Sequence, residues 1–328
     1  MLFARLQSTD PYMNLATEEF LLKNASAEEI FLLWQNRDTV VLGRHQNTME
    51  EVDTVYAAEN NIQIARRITG GGAVYHDLGN CNFSFIGNCR EQGKIDFSKF
   101  SHIMADAIGS MGLNVQVSGR NDLTIDGRKI SGSAQIILGD RVLHHGTLLY
   151  QTNLDKMERV LTVDQEKLFT NGVCSVRSRV TNLSEHFSGH IDISHFGSQL
   201  LDYFAAKGSA QELSLSEADL HSIQRLRDEK YSREEWIYGR SPGYSAKKRK
   251  HFKFGRVDIA LKTGKRGIIE KISFQGDFFG SGDIFELEQR FIGLPLCQCA
   301  LHTALDGFDV DKYISGASCT DLIDMILA

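Results

Sequence analysis

Residues 121–150 read Asn121-Asp-Leu-Thr-Ile-Asp-Gly-Arg-Lys-Ile-Ser-Gly-Ser-Ala-Gln-Ile-Ile-Leu-Gly-Asp-Arg-Val-Leu-His-His-Gly-Thr-Leu-Leu-Tyr150. Asp126-Gly127 stands between Leu123/Ile125 and Ile130, the residue pair that a tight two-residue hairpin asks for. Gly139-Asp140 supplies a second turn. Successive hairpins from Val115 to Tyr150 call for an antiparallel or mixed sheet, and a doubly wound parallel fold is disfavoured.

Upstream, Ile30–Trp34, Thr39–Leu42 and Ile62–Arg66 read as strands, and Cys81, Phe83 and Phe85 alternate with Asn82 and Ser84 as in a half-buried strand. Helices are expected from Asn14 as cap through Leu15, Ala16, Phe20 and Leu22, with Thr17 and Glu18 in the first turn, and along Phe100, Ile103, Met104, Ala107, Ile108 and Met111 as far as Gly112. Phe196, Leu200, Tyr203 and Phe204 mark a third, and Ser216–Trp236 is a polar helical stretch. Helices and strands mix without a regular strand–helix–strand rhythm, so the fold class is α+β.

The 328 residues suffice for about two domains, and 42% apolar with 24% charged residues excludes a mostly disordered chain. Gly239-Arg-Ser-Pro-Gly243 is the best break, giving a domain over 1–242 and a small α+β accessory domain over 250–328, with the boundary near Gly239–His251. From residue 241 onward the chain holds 12 basic and 11 acidic residues, so the first 240 hold 24 and 31. The net charge of -6 therefore sits in the first part, which excludes a surface that is wholly a nucleic-acid-binding field. No leader is read at Met1-Leu-Phe-Ala-Arg-Leu-Gln7, and runs such as Ile30–Trp34 are too short to span a membrane, so a cytoplasmic protein is expected. The six scattered cysteines read as reduced thiols.

Arg66-Arg67-Ile-Thr-Gly-Gly-Gly-Ala-Val-Tyr-His-Asp77 follows a strand with three consecutive glycines. Such a loop lets a phosphate approach backbone N–H groups, with Arg66 and Arg67 as counter-charge, or it is a turn and nothing more. It fits neither G-x-G-x-x-G nor the P-loop pattern. Lys129, among Gly127, Ser131, Gly132 and Ser133, is either a solvated edge-strand lysine or a clamp on charge developing in acyl transfer. Asn121 and Asp122 offer oxygens to a ribose, a metal or a turn. Of His144-His145, at most one points inward, because adjacent strand residues face opposite ways. Arg177 and Arg179 lie in the Ser175–Leu183 loop, where they bind an anion or cap a helix. Cys297 and Cys299 read as core thiols rather than as part of a metal site with His302, Cys174 as a small hydrophobe or a nucleophile, and Lys247–Lys253 as a solvated linker.

In order and wording, Asn14-Leu-Ala-Thr-Glu-Glu19, Leu42-Gly-Arg-His-Gln-Asn47, Arg67–Asp77, Ser118-Gly-Arg-Asn-Asp122, Gly127–Ala134, His144–Leu149 and Ser175–Leu183 closely resemble the bacterial lipoate–protein ligase A family. The resemblance extends to the C-terminal part near Trp236–Pro242. It implies a mixed-sheet catalytic domain like those of biotin protein ligases and class II aminoacyl-tRNA synthetases. It also implies ATP with Mg²⁺, activation of lipoate to lipoyl-AMP, and transfer to a lysine of 2-oxoacid dehydrogenase lipoyl domains or glycine-cleavage H protein, with neither nucleic acid nor membrane as partner. Octanoate is a conceivable second acid. Arg67, Gly71, Gly72, Ala73, Val74, Tyr75, Asn121, Asp122 and Lys129 would then hold ATP. Lys129, Gly71 and His145 would hold lipoate, Lys129 would be catalytic, and Asp122 is the candidate metal ligand. An ATP-independent octanoyltransferase using Cys174 and a non-catalytic binding module are the alternatives.

Overall fold

The structure, a computed structural model, describes residues 1–89, 96–119, 121–162, 179–206, 210–238, 246–264 and 267–327. Its strands are β1 (Leu2–Arg5), β2 (Glu29–Trp34), β3 (Thr39–Leu42), β4 (Gln63–Arg66), β5 (Val74–His76), β6 (Asn80–Asn88), β7 (Gln116–Ser118), β8 (Asp122–Ile125), β9 (Arg128–Leu138), β10 (Arg141–Leu149), β11 (Gln211–Glu212), β12 (Ala246–Phe252), β13 (Gly255–Thr263) and β14 (Ile269–Gly276). Eight of them form one mixed sheet in the order β11-β1-β2-β6-β10-β9-β8-β7. The expected hairpin joins β8 to β9: Asp126 and Gly127 both have positive φ, 50° and 74°, as a turn matched to strand twist requires. A second sheet, β4-β3-β5, carries the glycine loop between its outer strands.

Both faces of the large sheet are covered. Phe31, Phe83, Phe85 and Leu148 pack with Phe100 and Met104 of the helix Ser98–Gly109 and Phe196 and Phe204 of the helix Ile193–Ala205. On the other side, helix α1 (Pro11–Asn24) lays Leu15 and Leu22 against Leu32, Trp34, Ile86 and Leu143. Asn82 and Ser84, expected on an open face, are therefore buried. The helix with the full apolar stripe ends at Gly109, a turn before Gly112.

The start of α1 departs from expectation. Asp10 caps it, its carboxylate accepting from Tyr12 N at 3.0 Å with Pro11 at the first helical position. Asn14 is instead buried inside the helix, its Nδ2 donating to Ser8 O, Gln35 O and Asn36 Oδ1.

The basic run Lys247–Lys253 is not a linker over its described length. Residues 246–252 form the edge strand of an antiparallel β12-β13-β14 sheet, where Lys248 pairs with Ile259 and Arg249 with Asp258. The expected boundary overlaps residues 239–245, outside the described residues. Behind this sheet Val257, Ile259, Phe274 and Phe278 pack on Leu287, Phe291, Leu322 and Ile326. Cys297 and Cys299 are exposed, contrary to the core reading, because they lie at the start of a short surface helix, Gln298–Leu305. Among the described residues no group of three or more His, Cys, Asp or Glu side chains is placed to hold a metal, and no helix is long and apolar enough to cross a membrane.

The C-terminal part docks beside the glycine loop. Lys247 and Arg249 reach Glu50 at 2.9 and 2.8 Å, Arg256 pairs with Glu51, and Gly276 N donates to His45 O at 3.0 Å. Phe278 stacks on His45 with ring centroids 4.8 Å apart.

Candidate active site

The glycine loop is shaped by close backbone approach. A Cβ on Gly43 would lie 1.9 Å from Gly71 O, and one on Gly70 would lie 2.3 Å from Phe278 O. Gly71 has φ of 89°, a conformation that side chains resist. Gly72 has nothing within 4 Å of its would-be Cβ, so this part of the loop has open space beside it.

Arg67 holds the loop from inside. Its Nε donates to Thr69 Oγ1 at 2.9 Å, Nη1 to Val41 O at 3.1 Å, and Nη2 to Gly70 O and Gly72 O at 2.7 and 2.8 Å. Burial pushes this guanidinium down to about 10, partly opposed by Glu18. Arg66 is spent likewise: it donates to the carbonyls of Gly43, Arg44, Gln46, Trp236 and Ile237 and to the Thr48 hydroxyl. Both arginines thus brace the loop, and Arg67 does so from the wall of the cavity described below.

Behind the loop runs a buried polar chain. Thr69 Oγ1 lies 2.8 Å from His145 Nε2, and His145 Nδ1 lies 2.9 and 3.0 Å from the Glu18 oxygens. A carboxylate can only accept, so His145 donates from Nδ1 and meets the Thr69 hydroxyl through Nε2. Ser84 Oγ donates to Glu18 at 2.5 Å and accepts from the Trp34 indole at 2.7 Å. His144 lies on the opposite face, 5.1 Å from the Phe100 ring. Both histidines are buried because both faces of the sheet are covered, yet only His145 lines the cavity described next.

That cavity, of about 280 Å³, brings together Arg67, Gly71, Gly72, Ala73, Val74, Asn121, Asp122, Lys129 and His145. Tyr75 is the exception. It sits between Val74 and His76 on a strand, so its side chain turns away into the cluster of Val40, Leu42 and Ile64. Arg177 and Cys174 lie outside the described residues.

Lys129 reaches the cavity through a register shift. The β8–β9 pairing slips by one residue between Leu123 and Thr124, a bulge that re-aims the side chain. Lys129 Nζ sits 2.7 Å from Asp122 Oδ1 and lies over Gly132, 2.8 Å from where a Cβ there would be, so a side chain at 132 would push the ammonium aside. Asn121 Nδ2 donates to Ser133 O at 2.6 Å, pinning the start of β8. The rest of the wall is Leu15, Trp34, Val41, His76, Asn82, Ala134, Gly146 and Thr147, with Asp277 and Phe279 added by the C-terminal part. Those last two, and Glu18, escaped sequence reasoning. The Asn14–Glu19 wording was the available signal for Glu18, but its meaning needs β10 alongside.

Residues 10–205 match the model of the lipoyl protein ligase A/B catalytic domain, and residues 241–326 match that of the bacterial lipoate protein ligase C-terminus. The chain belongs to the lipoate–protein ligase family. It is 38% identical to the lipoate-protein ligase LplJ of Bacillus subtilis over 99% of this chain and 100% of that protein. It is also 38% identical to lipoate–protein ligase 1 of Staphylococcus aureus, over 97% of each. Among solved structures, a lipoate-protein ligase A bound with ATP superposes with a TM-score of 0.60 at 27% identity, covering 73% of this chain and 97% of that one. A bipartite ligase from Thermoplasma acidophilum, described with its E2 lipoyl domain, gives 0.62 at 29%, covering 75% and 98%. The fold match to Plasmodium falciparum LipL1 in complex with lipoate spans 99% of both chains at a TM-score of 0.76 and 21% identity. The family's catalytic-domain match includes the glycine loop, Lys129 and His145, and its C-terminal match includes Asp277 and Phe279.

Proposed function

We propose that this ligase joins lipoate to a lysine of an acceptor protein in two steps at this cavity. A lipoate carboxylate oxygen attacks the α-phosphorus of ATP, the bond to the pyrophosphate oxygen breaks, and lipoyl-AMP forms. The acceptor lysine's amine, having lost its proton to solvent, attacks the acyl carbon, and AMP leaves with the electron pair. The observation that carries this reading is the meeting of the glycine loop and the Lys129 ammonium in one cavity that also has an apolar wall. Loop and ammonium suit a nucleotide phosphate and a carboxylate, while Leu15, Val41 and Ala134 suit an alkyl tail.

In this reading Lys129 bridges the α-phosphate and the acyl oxygen, on which negative charge collects in both steps. Its present partner is Asp122, so binding the nucleotide exchanges one anion for another. Gly71, Gly72, Ala73 and Val74 line the phosphate side, with Tyr75 contributing backbone only, and Asn121 orients the approach. Mg²⁺ arrives with ATP. The carboxylate of Asp122 is compatible with a hydrated ion held chiefly by phosphates, which is how Mg²⁺ is commonly bound. The acceptor is a lipoyl domain, in keeping with the Thermoplasma acidophilum ligase described with its E2 lipoyl domain; glycine-cleavage H protein is a second. Octanoate enters as the poorer acid, for the reason developed below.

The test is lipoate-dependent exchange of pyrophosphate into ATP, followed by acceptor lipoylation. Lys129→Ala is expected to lower the rate about 10²–10³-fold, as loss of one preorganised charge does. Its thermal stability should be unchanged, because the Lys129–Asp122 pair is partly exposed. Full activity in Lys129→Ala overturns the role. Transfer from an acyl carrier without ATP, lost in Cys174→Ser, overturns the ligase reading in favour of the octanoyltransferase alternative.

A further inference from the structure

The far end of the cavity has two polar groups without partners among the described residues. Asn14 Nδ2 faces Ser8 O, Gln35 O and Asn36 Oδ1 within 3.0 Å; a flipped Asn36 amide would set two NH2 groups 2.9 Å apart, so Asn36 presents its oxygen there. Asn36 Nδ2 then donates to His76 Nδ1 at 3.0 Å, so the His76 proton sits on Nε2. That Nε2 is buried and unpaired. Asn82 accepts from Asn80 through Oδ1 at 2.8 Å, leaving its Nδ2 buried and unpaired as well. Both residues line the cavity, beside Trp34.

Strand pairing sets their distance from the reacting end. Trp34 pairs with Asn82, Asn82 with Thr147, and Thr147 Oγ1 accepts from the N–H of Gly132, over which Lys129 Nζ lies. From Lys129 to Asn82 is thus two strand spacings, about 10 Å. An acid whose carboxylate meets Lys129 has roughly six bonds before its nearer ring sulfur, about 7 Å when extended. One hydrogen-bond length of about 3 Å closes the gap.

We propose that His76 Nε2 and Asn82 Nδ2 form a two-donor floor that receives the lone pairs of the dithiolane sulfurs, making the site selective for lipoate over unsubstituted acyl chains. The inference rests on the ligase reading above. A methyl terminus offers no acceptor, so octanoate leaves both donors unmet in a buried site. Sites that hydrogen-bond their substrate reject analogues lacking the partner for this reason. Burial holds the His76 imidazole neutral, down at about 3, with Arg67 and His145 adding to the effect. Its N–H is therefore present throughout the working pH range.

The experiment measures acyl-adenylate formation by the full chain with lipoate, octanoate and cyclopentane-pentanoate, which keeps the ring and lacks sulfur. Wild type is expected to favour lipoate over both. Asn82→Leu should raise the KM for lipoate and lower it for the other two, cutting the preference about tenfold, or about 1.4 kcal/mol. Improvement with octanoate cannot arise from misfolding, so the variant reports on its own integrity. Asn82→Ser, which keeps an O–H donor, should recover part of the preference. An unchanged preference in Asn82→Leu, or equal losses for all three acids, overturns the donor floor while leaving the ligase reading intact. A wild type that activates none of them overturns both.

Discussion

Replacing Glu18 by leucine removes the acceptor at the centre of the buried polar chain. Two donors lose their partner: His145 Nδ1, now 2.9 Å from Glu18 Oε1, and the Ser84 hydroxyl, at 2.5 Å. Each orphaned buried donor costs about 1–3 kcal/mol. The carboxylate also offsets part of the burial penalty on the Arg67 guanidinium, so its loss adds to the cost. A total near 4 kcal/mol follows, and Glu18→Gln, which still accepts from His145, should cost about half as much. Both tryptophans, Trp34 and Trp236, belong to the apolar cluster around α1, and the Trp34 indole donates into this same network. Urea denaturation followed by tryptophan fluorescence therefore reports on the core that holds Glu18. With a slope of about 3 kcal/mol per molar, Glu18→Leu should lower the midpoint by about 1–2 M. Lipoate-dependent pyrophosphate exchange should fall with it, because Thr69, which His145 holds, receives the Arg67 Nε that shapes the glycine loop. A midpoint within roughly 0.3 M of wild type for Glu18→Leu would refute the claim that this chain supports the site.

Two further outcomes follow from the geometry. Gly43→Ala sets a methyl 1.9 Å from Gly71 O, so the loop must move; ATP-dependent activation should fall by more than tenfold with little change in octanoate binding, checked by exchange kinetics and direct titration of the acid. Burial holds His76 and His144 down at about 3, against about 6.5 in an unfolded chain. Below pH 6.5 the unfolded state therefore binds more protons, and stability present above 6.5 is lost as pH falls toward 3, by up to about 1.4 kcal/mol per unit for each imidazole. Urea midpoints between pH 7 and 5 test this, and His144→Leu should flatten the slope by about half.

What the sequence made legible was local. Asp126-Gly127 announces its hairpin because only a few residue pairs tolerate positive φ at both turn positions. Gly70–Gly72 and Lys129 stand out because glycines and a lysine are conspicuous against apolar strands. The polar chain was hidden because it is assembled from α1, the glycine loop and β10, with Glu18 and His145 separated by 127 residues. Asn82 read as the exposed side of a strand, since alternation shows which residues share a face and not whether the other face is covered. The Lys247–Lys253 run looked like a solvated hinge for a related reason: two of its cations find carboxylates on other elements, Lys247 and Arg249 on Glu50 and Arg249 also on Asp258 at 2.6 Å.

The same accounting reshapes how a chain of net charge -6 takes up a polyanion. The sequence offers Arg66, Arg67 and Lys129 around the loop, and the structure turns both arginines largely toward the loop itself, with Arg67 also at the cavity wall. Both arginines are committed to neutral oxygens, mostly loop carbonyls, so they stiffen the cradle and their charge reaches a ligand only at second hand. Lys129 alone among the three has a carboxylate as partner, Asp122, at the cavity wall. Exchanging Asp122 for phosphate costs less reorganisation than bringing a free lysine into place, because the ammonium is already held over Gly132. On the proposed reading, nucleotide binding here is an ion-pair exchange on a rigid loop rather than attraction to a positive surface. Its salt dependence should accordingly be shallow, since the net number of ions released is small.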